Sequence, residues 1–240
     1  MDHHAASIAD RHGILELALP VGPQLYRTLR ARIIGGDLAP GHRLSEAEVA
    51  LHYHLSRQPV REAFIKLAEE GLLEVRPQRG TYVRKISERA VLDARFVREA
   101  VETDVVKELA RTADQGLAKE LLGQVERQRG LIADDAAGFM VLDDLFHRTL
   151  CEAAGHAHAW TVIEGMKSQM DRVRHLTTQR SPNMRLVEHH AAIAQAIVQG
   201  DESAAERAMR DHLRKILTDL PIVRASLPEH FDDAGPVIRP

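Results

Sequence analysis

The chain of 240 residues has a single cysteine, Cys151, which excludes an intramolecular disulfide framework and fits a reducing compartment. Cys151 sits in an apolar helical stretch and reads as a packed core thiol, not a nucleophile. Aromatic residues make up only 4% of the chain and Gly/Pro clusters are few, while Ala, Leu, Val and Ile are plentiful. That balance points to a mainly α protein. No apolar run reaches the roughly 20 residues that a membrane span needs. The opening MDHHAASIADRHG also lacks the basic-then-apolar pattern of a signal peptide. A cytoplasmic protein without a membrane partner is therefore expected. Neither a nucleophile elbow nor a Gly-rich phosphate loop occurs. The net charge of –3 is small, so any nucleic-acid footprint must come from local clustering.

Such clustering exists near the N-terminus. From Arg27 to Lys85 there are eleven Lys and Arg against seven Asp and Glu. Within it, Leu44–Val83 reads as helix, tight turn, helix and two short strands. Ser45 is a good N-cap, with Glu46 and Glu48 in the first turn that follows. His54-Leu55 makes a break before a second cap at Ser56. The next helix carries Val60, Phe64, Ile65 and Leu67 as an apolar face, with Arg57, Gln58 and Arg61 turned away. Pro59 is tolerated in its first turn, and Gly71 closes it. Leu72–Val75 and Thr81–Val83 then flank the basic turn RPQRG. This is the outline of a winged helix-turn-helix, preceded by an amphipathic helix over 24–34. Arg79 and Gly80 fall at the wing tip.

LSEAEVA…LSRQPVREAFIKLAEEGLLEVRPQRGTYV closely resembles the DNA-binding domain of GntR-type bacterial transcription regulators. Gln58 departs from that pattern, which usually has Thr, at a base-reading position; the departure bears on operator sequence rather than on DNA binding. The resemblance implies double-stranded operator DNA as partner, with Arg57, Gln58 and Arg61 as base readers, Ser56 as a phosphate contact, and Arg79 and Gly80 as the DNA-contacting wing tip.

After Ser87 the pattern changes to helices near 88–112, 116–133, 136–154, 158–177, 183–199 and 201–220. Breaks fall at Gly116, Asp134-Asp135, Gly155, Ser181-Pro182 and Gly200-Asp201. Pro221 is expected to stop the last helix. The expected organisation is an arm over 1–20, whose His3-His4 pair is incidental, a winged helix-turn-helix with a small β wing over 20–86, an antiparallel six-helix bundle over 87–220, and a loose tail over 221–240. FVREAVE, DDLFHRTLCEAAG and EHHAAIAQAIVQGDESAAERAMRDHL resemble the FadR-like branch of the same family, with its helical effector-binding (FCD) domain. A count of six helices resembles the VanR-type subgroup.

Asp143 and His147 stand four apart, one helical turn from each other. With Leu142, Leu145, Phe146, Thr149 and Leu150 as the inward stripe, Asp143 lies at its edge and Asp144 nearly opposite, toward solvent. His190 shares the face of Leu186, Val187, Ile193 and Ile197, while its competitor His189 falls toward the border. His212 flanks the face of Met209, Leu213, Ile216 and Leu217. Three histidines and one aspartate facing a core are costly to bury unless something binds them. A divalent metal would satisfy Asp143, His147, His190 and His212, with Zn²⁺ first and Ni²⁺ or Mn²⁺ as alternatives. The same four positions match the metal pattern of the FadR-like domain. Glu188 is a candidate supporting partner. Arg98 and Glu102, four apart, read either as a surface ion pair or with Arg98 as a fork for a carboxylate effector. His156 is a candidate to shape the pocket, and Arg172, Arg174 and His175 read as a solvated helix edge.

The function these features imply is a dimeric, ligand-responsive transcription repressor, with a small organic acid bound at the metal and Arg98. Two alternatives are a regulator that senses the metal itself and a metal-dependent hydrolase, the latter without a visible general base.

Overall fold

Leu25, Leu29 and Ile33 recur every four residues, and all three are buried on α1 (Val21–Ile34). In the computed structural model, which describes residues 15–16, 18–131, 135–180 and 184–233, α1 packs on α3 (Arg57–Glu69). Residues 1–14 with His3-His4, the break at Ser181-Pro182 and the last residues of the tail lie outside those described. β1 (Arg43–Leu44), absent from the sequence reading, leads into α2 (Glu46–His52). Ser45 caps α2 by accepting from the Glu48 N–H at 3.4 Å. At Ser56 the expected cap bond is missing, although the residue stands at the N-cap of α3.

Along α3, Val60, Ala63, Phe64 and Leu67 are buried. Ile65 is 52% exposed, because one 100° step from Phe64 carries it off the apolar face. Gly71, at φ +70°, ends the helix. Its N–H donates to Ala68 O while the Leu72 N–H donates to Leu67 O at 2.8 Å, satisfying the last carbonyls. β2 (Leu73–Arg76) and β3 (Gly80–Val83) form the wing, and β1 joins β3 in a three-stranded antiparallel sheet of order β1-β3-β2.

The helical unit contains seven helices among the described residues. They are α4 (Glu88–Thr112), α5 (Gln115–Leu131), α6 (Ala136–Ala153), α7 (Ala157–Met166), α8 (Ser168–Arg180), α9 (Met184–Gln199) and α10 (Glu202–Ser226). The stretch read as one helix over 158–177 is two, and the six-helix count that suggested the VanR-type subgroup falls with it. Lys167 sits at the turn between α7 and α8, fully buried. Its ammonium meets Asp144 of α6 at 2.8 Å and Asp171 of α8 at 2.6 Å, which a straight helix would not bring together around it. Asp144 is thus an ion-pair partner, not a solvent residue. The break expected at Gly116 lies at Ala113-Asp114, where Ala113 has φ +46° and Asp114 accepts from the Gly116 and Leu117 N–H groups.

Pro221 does not end α10. The helix runs through it to Ser226, held by the buried Leu220 and Val223 on either side. The chain then clusters into one unit through Ser87 together with the segment from Leu227, and a second over Glu88–Ser226. As far as Asp233 the tail is not loose. Phe231 is buried and bridges Ile86, whose N–H donates to His230 O at 2.8 Å.

Glu99 ties α4 to α10: Arg95, Arg210 and Arg214 all reach its carboxylate, Arg95 at 2.6 Å and Arg210 at 2.8 Å. Burial raises its pKa, but the hydrogen bonds from Arg214, Arg95 and Arg210 outweigh that and bring it to about 2. A carboxylate so depressed adds stability above its ordinary value and loses it as pH falls through the folded one. Glu99→Gln should therefore lower the urea midpoint at pH 7, and the gap to the native protein should narrow as pH drops from 4.5 toward 2. A gap that stays constant across that range would contradict it.

Candidate functional site

Asp143, His147, His190 and His212 are all buried, and one ligand atom from each lies within 4.8 Å of the others. α6 carries the first two, α9 the third and α10 the fourth. The Nε2 atoms converge: His147 to His212 is 3.0 Å and His190 to His212 is 3.4 Å. Asp143 completes the ring, 3.5 Å from His190 Nε2 and 3.9 Å from His147 Nε2. His189 lies outside this ring and Glu188 is exposed, so neither takes the role considered for it. Leu145, placed on the inward stripe, is 37% exposed.

Supporting groups fix the ring nitrogens. Gln128 of α5 donates its amide to Leu142 O at 3.0 Å, which turns its oxygen to His190 Nδ1 at 2.6 Å. Nδ1 must then carry the proton, leaving Nε2 with a lone pair. His147 Nδ1 faces the Glu102 carboxylate, with the same consequence. No partner fixes the His212 proton: on Nε2 it is donated to His147 or His190, and on Nδ1 it leaves three lone pairs facing one another, an arrangement that a cation between them would satisfy. Burial lowers the His190 pKa to about 3. Burial also holds His212 low, helped by the neighbouring His190 and His147. Asp143 stays ionised: burial opposes this, but Arg174 and the histidines outweigh it. Neutral imidazoles with one carboxylate are the protonation states that a divalent metal requires. The donor set fits such an ion.

Arg98 is 1% exposed and grips Glu102 through Nε to Oε1 at 2.6 Å and Nη2 to Oε2 at 3.4 Å. This pair is far from the weak surface bridge that its spacing suggested. Arg172, Arg174 and His175 are buried as well, against the expectation of a solvated edge. Arg174 of α8 donates through Nη2 to Asp143 Oδ1, and its own partner therefore belongs to the metal ring. His156 is exposed and pairs with Glu108 at 3.0 Å, away from the ring. A narrow cleft opens beside His212, lined by Arg98, Arg174 and Lys215 against Leu186 and Ile216.

On the wing and α3, Ser56, Arg57, Gln58, Arg61 and Arg79 are exposed together. Gln58 donates to Glu62 at 3.0 Å and Arg61 stands 4.0 Å from Glu46, ties weak enough for both side chains to swing to another partner. Gly80 has φ +106°, and a Cβ there would come within 3.0 Å of Arg43 Nε. The exposed Arg43 therefore joins the wing, a cation that only the pairing of β1 with β3 brings there. Arg76 is tied down, 2.9 Å from Glu74 and stacked 4.7 Å above Tyr82.

The model for bacterial regulatory proteins of the gntR family matches residues 22–83, and that for the FCD domain matches 93–215. Over 219 residues the chain is 41% identical to the HTH-type transcriptional repressor RspR of Escherichia coli (strain K12), covering 89% of this chain and 95% of that one. The chain belongs to the GntR family. It is a GntR-type transcription regulator with a helical FCD domain, and the proteins it matches are regulators, not enzymes. It is also 30% identical over 190 residues to the gluconate operon transcriptional repressor of Bacillus subtilis (strain 168), covering 76% of this chain and 77% of that protein. Among solved structures, E. coli McbR/YncC superposes with a TM-score of 0.72 at 19% identity, over 85% of this chain and 99% of that one. A GntR transcriptional regulator from Rhodococcus sp. RHA1 superposes with a TM-score of 0.67 at 24% identity, over 85% and 98%. These two bear out the winged helix-turn-helix followed by a helical domain. Among the described residues, no helix is long and apolar enough to cross a membrane.

Proposed function

We propose that this GntR-family regulator is a repressor that acts in the cytoplasm as a homodimer on a near-palindromic operator. The segment 20–86 reads the DNA, and the helical domain that follows binds a small organic acid beside a divalent metal. Arg57, Gln58 and Arg61 read bases, while Ser56, Arg79 and Gly80 position the backbone, with Arg43 beside them. Asp143, His147, His190 and His212 hold the metal, Zn²⁺ before Ni²⁺ or Mn²⁺, and the metal offers the acid a Lewis-acidic anchor. Arg98 belongs to the same acid site. The acid alters DNA affinity because it prefers one of two arrangements of the domains.

The observation that carries this reading is the convergence of three Nε2 atoms on Asp143, each buried, in the FCD half of a GntR chain. Acid-dependent release of operator DNA by zinc-loaded protein, lost in His190→Ala/His212→Ala, is the expected result of a gel-shift titration. Operator affinity that follows zinc alone and ignores every acid would make the metal itself the signal. On the DNA side, Arg61→Ala should weaken operator binding by about 1–3 kcal/mol and relax specificity at one base position. Arg79→Ala should instead weaken all sequences alike and reduce the salt slope by about 1. An Arg61→Ala protein with unchanged affinity and sequence preference would remove that residue from the interface.

A further inference from the structure

The chain passes between its two units twice. It enters the helical unit at Glu88, after the linker Lys85-Ile86-Ser87, and leaves it at Ser226, the end of α10; the segment from Leu227 clusters with the DNA-binding unit. Both passages are fastened at each end. Within the helical unit, Arg224 in the last turn of α10 meets Glu88, the first residue of α4, at 2.5 Å, and the Glu88 side chain is 5% exposed. Within the DNA-binding unit, the returning segment makes one 3₁₀ turn at Pro228–His230 and then extends, with Phe231 at φ –100° and ψ 153°. There Ile86 is bonded through both of its backbone groups. Its N–H donates to His230 O at 2.8 Å, and its O accepts from the Asp232 N–H at 3.0 Å. Phe231 and Ile86 are each 1% exposed. Two backbone bonds and a fully buried aromatic ring hold a segment that, near a chain end, is ordinarily loose.

We infer that residues 227–233 form a strap that makes the connection between the units two-stranded, and that a change in α10 is passed through it to the DNA-binding unit. A single short linker turns about several dihedrals and transmits little. Two strands bonded to each other cannot turn independently. α10 carries His212, and α4 carries Glu102, which faces His147. The helices that run into the paired strands therefore both bear on the metal ring. A helix passes a displacement along its axis, so whatever moves His212 relative to Glu102 moves one strand of the pair relative to the other. The signal rests on the metal site proposed above; the strap itself does not.

The test is hydrogen exchange on the full-length protein, zinc-free and zinc-loaded, with metal content measured on each sample. The Ile86 and Asp232 amides should exchange slowly in the wild type. Phe231→Ala should speed both by about tenfold or more, while amides of α3 and α6 keep their protection. Zinc should slow Ile86 and Asp232 further in the wild type and leave them unchanged in Phe231→Ala, although both proteins take it up. Asp232→Pro deletes one of the two bonds where Phe231 already has the extended backbone that a residue before proline prefers. It should act in the same way, and it decides if Phe231→Ala fails to fold. A wild-type Ile86 amide that exchanges as fast as in the variants contradicts the strap. Zinc that binds and protects α10 but leaves Ile86 unchanged contradicts the coupling. If the wild type takes up no metal, the metal count alone removes the metal site, and duplex DNA from upstream of the protein's own gene replaces zinc as the probe. DNA binding should then slow exchange in the last turn of α10 in the wild type and not in Phe231→Ala; no change in the wild type overturns the inference.

Discussion

Glu102→Ala should destabilise the helical domain by about 3–5 kcal/mol, the range for removing one partner of a buried ion pair. The magnitude separates two pictures of the same spacing. A solvent-exposed i,i+4 pair contributes about 0.3–0.5 kcal/mol, and its loss would barely register. Here Arg98 is 1% exposed, so removing Glu102 leaves a guanidinium without its carboxylate in a site that water does not reach. The carboxylate is itself strongly held: burial raises its pKa, but Arg98 and then His147 outweigh that and bring it to about 2. A second consequence is chemical. Without Glu102, His147 loses the acceptor that keeps its proton on Nδ1, and metal affinity should fall about 10- to 100-fold. Urea unfolding and competition against a zinc chelator measure the two effects separately. Losses below about 1 kcal/mol, with zinc affinity intact, would mean that the pair is neither buried nor coupled to the ring.

Zinc itself should stabilise the protein strongly. With free Zn²⁺ at 1,000 times its dissociation constant, metal-free protein should gain about 4 kcal/mol. In a chain of this length that corresponds to a rise in Tm of roughly 8–16 °C. His190→Ala/His212→Ala removes two of the four donors and should flatten the titration. The ring contains groups that nothing else in the fold satisfies: Asp143 Oδ2 and His212 Nδ1 are buried without hydrogen-bond partners among the described residues. A metal answers the need of the first directly. An unchanged Tm on adding Zn²⁺, Ni²⁺ and Mn²⁺ in turn would leave the cluster a packed polar core.

Local signals made the DNA-binding half legible. The cap at Ser45, the left-handed stop at Gly71 and the apolar spacing of Val60, Phe64 and Leu67 are each decided within a few residues. The strand Arg43–Leu44 was not legible, since two residues carry no period and only pairing with Tyr82 and Thr81 makes them a strand. In the helical half, the 3.6-residue period was enough to choose His190 over His189 and Asp143 over Asp144 as the buried member. The period failed where a charge is buried by a partner far along the chain. DRVRH reads as a solvated edge, yet Asp143 on α6 draws Arg174 inward, and Lys167 is buried by Asp144 and Asp171. A buried carboxylate at Asp143 needs a cation or a metal, and that need is the one hint of Arg174 that the sequence offers. Pro221 misled for the opposite reason: packing by Leu220 and Val223 outweighs the local preference for a stop.

The most direct test of a metal-assisted effector site is elemental analysis of the purified, untagged protein beside its His190→Ala/His212→Ala variant. One divalent ion per wild-type chain, with none in a variant that remains folded, is the expected result. A folded wild-type protein that contains no metal and takes up none from Zn²⁺, Ni²⁺ or Mn²⁺ would contradict it.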